Sequence, residues 1–123
     1  MLTPEDITNL LDLPDEWEIL RQGVEKNNQD NVKKIYIAIS TPDDVITILV
    51  FPGYKADECS IEVGWKKIKQ LEHHGHTVTL AAHPGGERSH YIWYCPKNNA
   101  TFMINFSCDL EIIQPILNSI KCH

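Results

Sequence analysis

Isoleucine recurs at every second position in Lys34 to Ser40, and Val45 to Phe51 is the longest apolar stretch, broken only by Thr47. Both are strand-length, and Pro42-Asp43 between them suits the centre of a turn. That turn sets Ile39 against Ile46, Ile37 against Ile48 and Ile35 against Val50, so one face is built of β-branched cross-strand pairs. A second hairpin is predicted near the C-terminus, with its turn centred on Asn98-Asn99. Both turn residues would take positive φ, and Cys95 would pair with Phe102, Trp93 with Ile104 and Tyr91 with Phe106. His90, Ile92, Tyr94, Met103 and Asn105 then take the other face.

Helical spacing is expected in three places. Thr3-Pro4-Glu5-Asp6 reads as a helix start, with a capping hydroxyl, a proline whose φ is preset and acids at the positive end of the dipole. Ile7, Leu10 and Leu11 form its apolar stripe. Asp57 to His74 carries Ile61, Trp65, Ile68 and Leu71 at i, i+4, i+7 and i+10, which predicts the principal helix, with Gly75 following its last turn. Ile112, Ile113, Ile116, Leu117 and Ile120 predict a terminal helix that Pro115 should confine to a late start. Trp17 to Leu20 begins a first strand, Gly23 to Asn31 reads as a polar loop, Thr77 to Ala82 as a strand, and His83 to Glu87 as a turn. The expected fold is α+β and occupies the whole of residues 1–123 as one domain. Its mostly antiparallel sheet of about six strands is covered by a long helix and a C-terminal helix.

Charge narrows the partners. Seventeen acidic against eleven basic residues give a formal net charge of -6. The basic residues are scattered, the densest group being Lys66, Lys67 and Lys69, so neither nucleic acid nor an anionic membrane is an expected partner. No stretch is long and apolar enough to span a bilayer as a helix, and the N-terminal residues lack a basic-then-apolar leader. If Met1 is the native start, the expected compartment is the cytoplasm. In that compartment Cys59, Cys95, Cys108 and Cys122 would be unpaired, and the glycosylation acceptors Asn99-Ala-Thr101 and Asn105-Phe-Ser107 would be accidental.

Reactive side chains are sparse. Histidines at 74, 76, 83 and 90 are the main concentration, and zinc, nickel or copper would accept them if the fold converged them. Capping explains His73 and His74 without a ligand. No hydrolase elbow, phosphate loop or zinc-protease motif is present, so no catalytic residue is assigned and no cofactor is expected. The outer face of the second hairpin is more informative. His90, Ile92, Tyr94 and Met103 are too apolar for a fully solvated face, and Arg88 at the neighbouring turn would give it a polar rim.

Leu13-Pro-Asp-Glu-Trp17-Glu-Ile, the Ile35 to Phe51 hairpin, the long helix, the aromatic hairpin and Ile116-Leu-Asn-Ser-Ile120-Lys together resemble the Mog1/PsbP fold group from Leu13 onward. The resemblance implies a mostly non-enzymatic group: Mog1 binds the GTPase Ran, and PsbP supports the oxygen-evolving complex. No site residue carries over. The expected function is a small cytoplasmic, non-catalytic binding or adaptor domain for a protein or small-molecule partner, using Arg88, His90, Ile92, Tyr94 and Met103. The competing expectation is a metal-binding protein or metal-assisted hydrolase using His74, His76, His83 and His90.

Overall fold

Backbone pairing between Val32–Ser40 (β2) and Val45–Pro52 (β3) follows the expected register, with Ile39 opposite Ile46, Ile37 opposite Ile48 and Ile35 opposite Val50. All six side chains are fully buried. The structure is a computed structural model and describes residues 2–11, 13–55, 66–73, 76–83, 85, 88–107 and 110–120. Its other strands are Glu18–Lys26 (β1), Lys66–His73 (β4), His76–Ala82 (β5), Ser89–Cys95 (β6) and Ala100–Phe106 (β7). All seven join one antiparallel sheet in the order β1-β2-β3-β7-β6-β5-β4. Among the described strands β3–β7 is the one pairing between strands not consecutive in the chain, and it places the two aromatic-rich strands near the centre. The architecture is therefore a sheet-rich α+β fold.

Two helices complete the described structure. Pro4–Thr8 (α1) begins with a capping box, in which Thr3 and Asp6 exchange side-chain-to-backbone hydrogen bonds. Leu110–Ser119 (α2) holds Pro115 inside it rather than in its first turn. An internal proline costs about 3 kcal/mol. Against it, Ile113, Ile116, Leu117 and the following Ile120 are fully buried, and burying each such side chain contributes about 1.5–3 kcal/mol. Burial wins, and the helix persists through the proline. These residues and Ile7 form one core with the inner face of the sheet, where Trp93 stacks on Phe102 and Tyr91 on Phe106.

Several expectations are corrected. The predicted helix over Asp57 to His74 is overturned where the structure describes it, because Lys66–His73 is a strand paired with β5. Residues 57–65, Trp65 among them, and His74 lie outside the described residues. The cause is a bulge between Lys67 and Lys69. An extra residue interrupts a strand's period of two, and in the sequence Ile68 and Leu71 stand three apart, a spacing that a helix also uses. Among the described residues the sheet has seven strands instead of about six, and no long helix lies on it. Gly23 to Lys26 belongs to β1 and not to a loop; the turn is confined to Asn27 to Asn31, tied by Asn27 Oδ1 accepting from the Gln29 and Asn31 N–H groups. The aromatic hairpin keeps its predicted faces but is shifted by two residues. Cys95 pairs with Ala100 and Trp93 with Phe102 across a four-residue turn, Pro96 to Asn99, in which Asn99 alone has positive φ.

Candidate functional site

The outer face of the aromatic hairpin is closed by the chain itself. His90, Ile92 and Met103 alternate away from the core as expected, yet their relative exposures are only 0%, 5% and 7%. The segment leaving β3 lies against this face. Thr101 Oγ1 donates to the Tyr54 carbonyl, and Lys55 Nζ stands 5.6 Å from the centre of the Tyr94 ring. Tyr94 is half-buried and donates its hydroxyl to Asn99 Oδ1 at 2.7 Å, while Arg88 is exposed at the mouth of the β5–β6 turn. Of the five residues, Tyr94 and Arg88 retain access to solvent, and they sit at opposite ends of β6.

The histidines are spread over three settings. His76 opens β5, with its backbone paired to His73 at the end of β4, and His74 lies outside the described residues. His83 is exposed, and its Nδ1 accepts the Gly85 N–H at 3.1 Å. His90 is wholly buried. Among the described residues no group of three or more His, Cys, Asp or Glu side chains is placed to hold a metal ion. Cys95 corrects the expectation of free thiols. It is disulfide-bonded, and the other three cysteines lie outside the described residues.

A cleft that the sequence did not reveal opens at the other end of the sheet. Its floor and rim are Glu16, Trp17, Thr41, Pro42, Asp43 and Ile112, and it encloses about 220 Å³. A turn closed by the Trp17 N–H on the Pro14 carbonyl delivers Trp17 just ahead of β1. Opposite it, Thr41 rigidifies the β2–β3 turn: its Oγ1 accepts the N–H groups of Asp43 and Asp44 and donates to the Asp44 carbonyl. Asp44 then fastens that turn to the end of β7, its Oδ2 accepting the Ser107 N–H at 2.9 Å. Three residues later α2 begins, and Ile112 reaches the cleft from its first turn. Burial by itself would raise the Asp44 carboxyl. Hydrogen bonds from Ser107 and Val45, with the charge of Arg88, outweigh it and hold the group below its ordinary value of 3.8.

The chain matches no known protein family, no curated protein and no solved structure. The site is therefore read from its own chemistry. At about 220 Å³ the cleft is below the usual range of small-molecule sites, roughly 300–1,000 Å³, and its size fits one side chain or a small organic cation. Trp17 and Ile112 supply an aromatic and an aliphatic wall. Glu16 and Asp43 bring two exposed carboxylates, and neither forms an ion pair among the described residues. An aromatic face beside carboxylates favours a positively charged guest. The sequence contained Trp17 and the Pro42-Asp43 turn but not their proximity, which depends on the β1–β2 pairing and on where α2 starts. No periodicity encodes either.

Proposed function

We propose that this protein is a small non-catalytic binding domain that captures a cationic side chain of a partner protein in the Trp17 cleft. The observation that carries the reading is the combination, in one rigid and solvent-open cleft, of an indole, an aliphatic wall and two carboxylates that are not ion-paired among the described residues. An arginine side chain satisfies all three, since its guanidinium stacks on an indole and its fork donates to carboxylates. The acidic balance of the whole chain, -6, supports a basic partner by raising encounter rates at low salt. The Cys95 disulfide favours an oxidising compartment over the cytoplasm that the sequence suggested.

The test is a fluorescence titration of the oxidised protein with blocked tripeptides carrying arginine, lysine or norleucine at the centre. Saturable quenching by the arginine peptide, weaker with lysine and absent with norleucine, is expected. Trp17→Phe should remove most of the signal. Asp43→Asn and Glu16→Gln should each weaken binding by about 1.4- to five-fold, the range that exposed charge pairs of about 0.2–1 kcal/mol allow. Equal response to norleucine would leave an apolar cleft without charge selection and end this reading.

A further inference from the structure

We propose that Asn99, at the tip of the β6–β7 hairpin, carries an N-linked glycan. Two independent observations meet there. Asn99-Ala100-Thr101 has the acceptor pattern Asn-x-Thr, and the neighbouring Cys95 is disulfide-bonded, which places folding in the kind of compartment where such acceptors are used. Asn99 is exposed, as are Pro96 and Lys97 of the same turn, while Asn98 is half-buried. Its φ of 47° is a conformation that asparagine tolerates better than most residues.

The side chain is arranged to bear the modification. Its Oδ1 accepts the Tyr94 hydroxyl at 2.7 Å, which leaves Nδ2 as the other amide terminus. In the transfer, Nδ2 forms a bond to the anomeric carbon of a lipid-pyrophosphate-linked oligosaccharide. The bond from that carbon to the pyrophosphate oxygen breaks, its electron pair leaves with the lipid pyrophosphate, and Nδ2 loses one proton. Oδ1 takes no part, so the Tyr94 hydrogen bond is retained in the product. Thr101 is fully buried and its hydroxyl is committed to the Tyr54 carbonyl, so the transferase must act before β7 enters the sheet. The fold then decides which modified chains can become native. Asn105 is a poor bearer on this criterion. It lies within β7 between Thr47 of β3 and His90 of β6, half-buried beside the wholly buried His90.

The experiment sends the full chain, behind a cleavable secretory leader, through cultured eukaryotic cells. Secreted and cell-retained pools are both digested with a peptide:N-glycosidase, which converts each glycosylated Asn to Asp. One digestible glycan, conversion at residue 99 in peptide maps, and loss of the mass shift in Asn99→Gln but not in Asn105→Gln are expected. Disulfide-bonded chain that the enzyme leaves unchanged, or conversion at residue 105 alone, overturns the proposal. Neither outcome depends on the cleft, whose ligand titration is read on protein made without glycan.

Discussion

Trp93 and Tyr94 are neighbours in sequence with opposite roles, because successive residues of a strand face opposite ways. Trp93 is 2% exposed and stacks on Phe102 at 5.4 Å, whereas Tyr94 keeps part of its ring in solvent. Trp93→Ala should therefore cost about 3–5 kcal/mol, and Tyr94→Ala about 1 kcal/mol for one surface hydrogen bond. Denaturant midpoints check this, and equal losses would mean that the face assignment of β6 is wrong. Asp44 gives a prediction in acid. Its folded pKa lies below 3.8, so the unfolded chain takes up the proton first as pH falls. The stabilisation is fully present above the unfolded value and is lost as pH falls through the depressed folded one. Asp44→Asn should lower stability by about 1 kcal/mol at neutral pH, and the gap to wild type should shrink below pH 3.8. A constant gap across that range would show that the carboxylate's charge contributes nothing to the link with Ser107.

At the scale of elements, the interior strands were legible and the edges were not. β2 and β3 show alternation in burial, and β6 and β7, buried on both faces along most of their length, still gather Tyr91, Trp93, Phe102, Ile104 and Phe106 on one of them, so faces could be assigned even where the register of the second hairpin was displaced by two. A two-residue displacement leaves every side chain on its own face, which is why apolar segregation could not detect it. β1 and β4 sit at the two edges, and each carries a bulge and several charges. Those features blunt an edge against pairing with other chains, and they also erase the period-two pattern. The polar run from Gly23 read as a loop for that reason, and the bulge in β4 read as helical spacing. Gly23 itself has a packing role, since a Cβ added there would stand 2.6 Å from the Tyr36 hydroxyl oxygen and 2.9 Å from its ring carbon. Gly23→Ala should cost about 1–3 kcal/mol by overpacking. In a Tyr36→Ala background the same change should be neutral or stabilising, because a strand interior otherwise disfavours glycine. A thermal double-mutant cycle reads the coupling, and additive effects would show that Tyr36 does not lie across Gly23.

Over the whole molecule, the cleft and the Asn99 turn occupy opposite ends of the sheet. The β2–β3 turn, the end of β7 and the start of α2 meet at one end; the β6–β7 turn and the exit of β3 meet at the other, where the Gly53 N–H donates to the Asn99 carbonyl at 2.7 Å. Strand β3 separates them by eight residues, about 26 Å at 3.3 Å per residue, so a glycan at one end leaves the cleft open. Oxidation state is the property on which the whole arrangement can be checked. Cys95 is fully buried on the core face of β6, and its Sγ accepts from Asn98 Nδ2 at 3.3 Å. A chain of four cysteines with Cys95 bonded has at most two free thiols. Titration after denaturation without reductant should therefore find two or fewer, and four after reduction. Native disulfides typically contribute about 2–4 kcal/mol, chiefly by restricting the unfolded chain, so reduction should lower the melting temperature without loss of the strand signal at low temperature. Cys95→Ser should reproduce that loss in the absence of reductant, and adding reductant to it should produce little further change if Cys95 holds the only bridge. Four free thiols in protein purified under oxidising conditions would return the chain to a reducing compartment and remove the basis for a glycan at Asn99. The cationic cleft is argued from its own lining residues and is tested separately, by the peptide titration.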